Sequence, residues 1–195
     1  MNTETTALDS TNTPEIGLVS SIEELRQIHE LNRKYIRGEV LTAEEHEEGF
    51  LTWLYDSRLL QQMQEQAPSV IAKDRDRVVA YALTTLRQAC DFHQNLRNMF
   101  EFIERLPLDG KPLGSQSFYV MGQVCVDKPY RGRNLIARLY EKHREVYSHQ
   151  FDYLVTEIST RNIRSLKAHQ KIGFRIIHTY PDALDEWNVV AWKIN

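Results

Sequence analysis

From Ser117 onward, short alternating apolar runs are separated by stretches of helical periodicity. Phe118 to Val126 predicts a strand, 134–149 a helix, Tyr153 to Ile158 a strand and 162–171 another helix. Strands at Phe174 to Thr179 and Trp187 to Trp192 follow, joined by the turn Tyr180-Pro181-Asp182. Strand, helix, strand in succession predicts that 118–126 and 153–158 pair in parallel, because a crossover of that length returns the chain in the same direction. Upstream, Ser69 to Lys73 and Val78 to Leu86 read as a hairpin around Asp74-Arg75-Asp76-Arg77. Hairpins at either end make antiparallel pairs, so the expected architecture is α/β (α+β), a mixed central sheet of about six to seven strands flanked by helices.

Three helices are expected before residue 117. Ile22, Leu25, Ile28, Leu31 and Tyr35 lie at helical spacing in 20–36, with Glu23 and Glu24 in the first turn. A second helix is predicted from Thr42, a plausible N-cap, towards Gln66, with Pro68 ending it. Phe92, Leu96, Met99, Phe100 and Ile103 mark a third over 91–105, and Pro107 to Gly114 reads as a loop. Met1 to Pro14 is polar, Thr-rich and without basic residues, which fits a disordered tail better than a secretory or transit segment. Residues 15–195 are expected to form one domain.

Composition narrows the function by exclusion. The 195 residues are 42% hydrophobic and 26% charged, as in an ordinary globular protein. A net charge of -3 offers no electrostatic footprint for nucleic acid or an anionic membrane. No run approaches the roughly 20 apolar residues of a membrane span. Cys90 and Cys125 are too few for a disulfide framework or a structural zinc site, and a cytoplasmic location is the default expectation. Glu44-Glu45-His46-Glu47-Glu48 could be imagined as a metal site, but a solvated helix face is the better reading, and no metal is expected.

The candidate chemistry begins in Asp127-Lys128-Pro129-Tyr130-Arg131-Gly132-Arg133, between a predicted strand and helix. A strand turning tightly into a helix presents free backbone N–H groups and the positive end of the helix dipole. Arg131 and Arg133 add charge and Gly132 removes a side chain from the approach, so the loop suits a diphosphate; a solvated turn is the competing reading. In the helix 162–171, Arg164, Lys167 and Lys171 share one side, while Asn162, Ser165, Leu166 and His169 share the other. His169 then sits in the buried face, where an isolated histidine is usually a core residue. Glu157 interrupts an apolar strand and must be paired, hydrogen-bonded or in a cleft.

These segments together resemble the GNAT acetyltransferase superfamily. Val126 through Leu139 is similar to its cofactor motif, Arg/Gln-x-x-Gly-x-Gly/Ala, with Arg131 in the first position, Asn134 in that of the glycine and Ile136 in the final small position. Asn tolerates a left-handed backbone, so Asn134 is a mild departure. Ile136 fits if its side chain turns to the apolar face with Leu135, Leu139, His143 and Val146. The run Asn162-x-x-Ser165-x-x-x-His169-x-Lys171-x-Gly173-Phe174 resembles the family's later motif, Asn-x-x-Ala-x-x-x-Tyr-x-Lys-x-Gly-Phe.

The resemblance implies a GNAT-like acyl-CoA N-acyltransferase fold and transfer of an acyl group, acetyl above all, from acyl-CoA to an amine by direct attack. The co-substrate is expected to be acetyl-CoA or another acyl-CoA. Its expected contacts are Val124, Cys125 and Val126, then Arg131, Gly132, Arg133, Asn134, Leu135 and Ile136, and finally Asn162, Ser165 and His169. Glu157 takes the place of a general base, with a structural Glu as the alternative. His169 stands where the family has a Tyr beside the CoA sulfur and is the expected proton donor. Cys125 reads as a packed strand residue, since no covalent intermediate is needed. The acceptor is expected to be a small-molecule or peptide amine. It would be cationic if Glu44 to Glu48 with Asp182, Asp185 and Glu186 form an acidic rim, and unconstrained if that is ordinary surface acidity. Oligomeric state is open, a homodimer included. The rival reading is a catalytically silent acyl-CoA-binding sensor or structural module.

Overall fold

The computed structural model describes residues 13–38 and 49–195. Seven strands make one sheet in the order β1 (Glu15–Leu18), β2 (Val70–Asp74), β3 (Arg77–Thr85), β6 (Phe118–Val126), β7 (Tyr153–Ser159), β9 (Glu186–Lys193), β8 (Arg175–Pro181). A small ribbon, β4 (Pro107–Leu108) with β5 (Lys111–Pro112), lies apart from it. Only β6 and β7 pair in parallel, joined through α4 (Leu135–Tyr147), so the sheet is mixed as the chain order implied. The β2–β3 turn is carried by Arg75 at φ 57°.

Five α-helices are present among the described residues. α1 (Ile22–Tyr35) begins at a capping box, in which Ser21 accepts the Glu24 N–H and Glu24 accepts from the backbone N–H of Ser21. Leu25, Ile28 and Leu31 bury one stripe of α1 against the sheet through Ile71, Tyr81 and Leu83, a layer shared with Leu59, Leu60 and Met63 of α2 (Ser57–Gln66). α3 (Gln94–Ile103) extends that layer with Leu96 and drives Phe100 and Ile103 over Val120, Val155 and Val189. On the other face, Leu135, Leu139 and Tyr140 of α4 and Leu166 of α5 (Ile163–Ile172) pack with Val70, Ala82, Tyr119, Met121 and Trp192.

Two expectations need correction. The helix predicted from Thr42 towards Gln66 begins, within the described residues, only at Ser57; 49–56 is irregular and Asp56 caps α2 by accepting the Leu59 N–H at 2.8 Å. Residues 42–48 lie outside the described residues. The four-residue strand β1 was not expected at all. It is only four residues long, is held by its antiparallel register on β2, and packs Ile16 and Leu18 against the core.

The feature that shapes the site is an irregularity in β6. Thr84 pairs with Met121 but Ala82 pairs with Val124, so β6 carries one residue more than its partner. An extra residue inverts which face each later side chain takes. Before it, Phe118 and Val120 face the α3 layer while Tyr119 and Met121 face α4; after it, Val124 and Val126 face α4 and Cys125 the α1 layer. The bulge also parts the sheet. β6 pairs with β7 only over Phe118–Val120, opposite Tyr153–Val155, and beyond that the strands separate.

Candidate active site

Where β6 leaves β7, side chains take over the broken ladder. Thr156 donates its hydroxyl to the Met121 carbonyl (2.8 Å) and Tyr55 donates to that of Gly122 (3.1 Å). Gly122 must be glycine, since a Cβ there would lie 2.5 Å from Thr85 Oγ1 and 2.8 Å from the Tyr55 hydroxyl. Further along, Asp127 donates its backbone N–H to Val79 of β3. By the alternation of a strand, the N–H groups of Val126 and Val124 point the opposite way, into the gap.

Two cavities open from that gap. One, about 770 Å³, runs over the β6–α4 loop and between α4 and α5. Its lining includes Val124, Cys125, Val126, Arg131, Gly132, Asn134, Leu135, Ile136, Asn162 and Ser165, ten of the twelve positions assigned to the co-substrate from sequence. Arg133 is not in this lining, and its guanidinium lies over the Tyr130 ring at 5.2 Å. His169 lines the second cavity. Asn134 adopts φ 58°, ψ 23°, the left-handed conformation that the glycine position requires, and Gly132 has φ 79°. Asn134 does not cap α4 with its own side chain. The first N–H groups of α4 therefore begin beside the cavity, and Ile136 packs partly into the core as its fit demanded.

The loop is tied down by residues the sequence did not single out. Asp127 is buried and accepts from the Lys34 ammonium (2.6 Å), the Tyr35 hydroxyl (2.6 Å) and Arg77. Burial alone would raise its carboxyl, but Lys34 and Tyr35 hold it below the usual range. The Tyr35 oxygen also accepts the Lys128 N–H at 2.7 Å, and the Tyr35 ring lies 4.9 Å from the Arg131 guanidinium. These partners lie 50 to 93 positions from Asp127 in the chain, so no local pattern signals them.

The cavity's composition fits a CoA thioester. Its described lining carries five cations (Arg131, Arg144, Arg164, Lys167 and Lys171) against one carboxylate, Glu141, beside a helix N-terminus.

The second cavity, about 500 Å³, shares Phe50, Leu51, Val124, Asn162 and Ser165 with the first, and those residues mark where the two meet. Glu157 lines it, partly buried, and accepts the Tyr180 hydroxyl at 2.7 Å. Burial pushes its carboxyl up to about 7, opposed by that hydrogen bond and reinforced by Asp182. Asn162 caps α5 by accepting the Ser165 N–H and donates to the Phe50 carbonyl at 3.0 Å, fixing the wall between the cavities.

His169 does not have the surroundings of a proton donor. Its Nδ1–H donates to the Ser165 carbonyl (2.8 Å), leaving Nε2 to accept from the Tyr140 hydroxyl (2.6 Å). Burial lowers its pKa to about 4, so the ring is neutral at pH 7 with both nitrogens engaged. Cys125 is buried too, its thiol pushed up to about 12 by desolvation, consistent with packing rather than nucleophilic work. The acidic rim is also changed. Glu44 to Glu48 lie outside the described residues, and Asp185 is paired with Arg37 (3.0 Å) and Arg161 (2.8 Å). Asp182 remains in the cleft lining.

A mixed sheet that splits beside a basic, helix-capped cavity defines the class of acyl-CoA N-acyltransferase folds. Residues 25–174, most of the chain, match the acetyltransferase (GNAT) family, and the protein belongs to that family. Solved structures agree on the fold. The ribosomal-protein-S18-alanine N-acetyltransferase from Escherichia coli superposes with a TM-score of 0.61 at 13% identity, over 93% of this chain and 94% of that one. A putative acetyltransferase from Salmonella typhimurium, solved with its cofactor acetyl-CoA, gives 0.62 at 14% identity over 94% and 95%. The NatC complex bound to Gag peptide and CoA contains a chain at 0.64 and 13% identity, over 93% and 99%. No curated protein matches the chain. Among the described residues no helix is long and apolar enough to cross a membrane, and no cluster of His, Cys, Asp and Glu could hold a metal ion.

Proposed function

We propose that the protein transfers an acetyl group from acetyl-CoA to an amine by direct attack, with Glu157 as the base. The observation that carries this is the meeting of two cavities at the split between β6 and β7, with Glu157 on the side away from the basic one. Acetyl-CoA, when bound, supplies an acyl group activated as a thioester. Arg131, Gly132 and the N-terminus of α4 would hold its diphosphate, with Arg133 adding positive charge from outside the lining, and Asn162 and Ser165 would flank the chain leading to the split.

The remaining chemistry belongs to this chain's own groups. A lysine-like amine, with a pKa of about 10.4, is almost wholly protonated at pH 7. Glu157, with a pKa of about 7, is ionised enough to accept that proton and close enough to neutrality to release it. The N–H groups of Val124 and Val126 can donate to a carbonyl oxygen brought into the gap, as donors fixed by the strand. No acid is required of His169, since a thiol with a pKa of about 8.5 leaves as thiolate.

CoA binding provides the test. A ligand at 100 times its dissociation constant stabilises the folded state by about 2.7 kcal/mol, so millimolar CoA is expected to raise the melting temperature. The double variant Arg131→Ala, Arg133→Ala is expected to lose most of that increase. Equal melting temperatures with and without CoA would remove the proposal. Protection by CoA without turnover on any amine would favour the silent acyl-CoA-binding module.

A further inference from the structure

The second cavity is lined in a way that bears on which amine enters it. Its described lining contains no Lys and no Arg, and its carboxylates are Glu157 and Asp182. A substrate carboxylate would therefore meet two like charges and no cationic partner in the described lining, whereas an ammonium meets opposite charge. Much of the remaining wall is aromatic. Trp53 and Tyr55, in the irregular segment before α2, have ring centroids 4.3 Å apart; Phe102 of α3 and Tyr180 of β8 are also 4.3 Å apart. Both tyrosine hydroxyls are committed, Tyr55 to the Gly122 carbonyl and Tyr180 to Glu157, so these residues offer the cavity ring surface rather than a polar tip.

Backbone partners are scarce as well. The Met121 and Gly122 carbonyls, which an extended peptide could use, already accept from Thr156 and Tyr55. A cavity of about 500 Å³ lies within the range that encloses small molecules. We infer that the acceptor is a small aralkylamine, a primary ammonium on an aromatic body without a carboxylate. The inference rests on the acetyl-transfer reading above. Ring faces hold the aromatic body and attract the ammonium, and Glu157 receives its proton.

Calorimetry on the protein saturated with CoA separates this from its rivals without requiring turnover. The titrants are 2-phenylethylamine, phenylalanine (the same body with a carboxylate), spermidine and an unblocked tetrapeptide. 2-Phenylethylamine is expected to bind, and phenylalanine to bind at least about tenfold more weakly. Trp53→Ala is expected to weaken the amine by about 3- to 30-fold. Phe102→Leu, which keeps an apolar wall, provides a milder second variant with the same direction of change. Tighter binding of phenylalanine, spermidine or the tetrapeptide, or no binding of 2-phenylethylamine, overturns the inference. Turnover with acetyl-CoA then tells the two readings apart. If 2-phenylethylamine binds but is never acetylated, the acetyl-transfer reading falls and the ligand class stands. If only spermidine or the tetrapeptide is acetylated, the reverse holds.

Discussion

The two cavities share a wall and differ in nearly every physical respect. The one over the β6–α4 loop carries five cations and one carboxylate in its described lining, beside the N-terminus of α4. The other carries, in its described lining, two carboxylates, no Lys or Arg, and several aromatic rings. A single extra residue in β6 underlies both: it opens the sheet and turns Val124 and Val126 towards the basic side. Opposite lining charges let an anionic and a cationic ligand approach the same few atoms from different directions without competing for the same groups. The common wall of Phe50, Val124, Asn162 and Ser165 is where their reacting ends would meet.

The largest expected effect breaks the acidic side alone. Glu157→Gln is expected to cut turnover by about 10²–10⁴-fold while CoA protection stays within a small margin of wild type. Wild-type activity is expected to climb as pH rises through about 7, because the base must be ionised, and the variant should lose that ascending limb. Stability should move the other way. A carboxyl raised from 4.5 to about 7 favours the folded state when protonated, so its contribution is complete below 4.5 and lost as pH rises through 7. Glu157→Gln should therefore gain more in melting temperature at pH 8 than at pH 5. Full activity in the variant would return the search for a base to water or to residues 39–48.

A smaller effect strikes the bulge that shapes both cavities. Gly122→Ala forces a methyl group against Thr85 and Tyr55, at a cost of about 1–3 kcal/mol read by urea unfolding. Turnover should fall more than CoA protection does, because Tyr55 lines only the acceptor cavity. Equal losses on both sides would mean that the bulge is merely structural.

The smallest effect is expected at His169. Since the ring is already neutral, His169→Tyr should leave the pH profile of turnover the same as that of the wild type. A limb that moves towards pH 10 would restore the proton-donor role. Acid stability gives a second readout. A histidine held at about 4 stabilises the fold above its unfolded value of 6.5 and loses that contribution as pH falls from 6.5 to 4. His143, lowered to about 3 by burial, adds to the loss in the same direction.

The second half of the fold was legible because its signals are local. Alternation over 118–126 and 153–158 and helical spacing over 162–171 read correctly to within a residue or two. Asn134 was readable through the family resemblance, which puts a glycine at that position, together with the tolerance of Asn for a left-handed backbone. What escaped depends on distant partners. Asp127 acquires its role from Lys34, Tyr35 and Arg77, and β1 exists because β2 offers it an edge. The irregular 49–56 segment contains apolar residues at spacings a helix could use; Trp53 and Tyr55 are drawn instead to the cleft, and the cap at Asp56 was the one local sign that a helix starts there. Periodicity placed His169 in a buried face but could not supply Tyr140, the partner that engages its remaining nitrogen.

The chain on either side of residues 39–48 is stapled shut. Arg37 donates its N–H to the Leu51 carbonyl (2.9 Å), and Leu51 donates to that of Tyr35 (3.1 Å). Asn162 grips Phe50, and Asp185 grips the Arg37 guanidinium. Phe50 and Leu51, two residues of the wall between the cavities, are thereby clamped from opposite sides, one by α5 and the other by the end of α1. A substitution that loosens either clamp should therefore disturb both ligands at once, since the partition they share loses a fixed end.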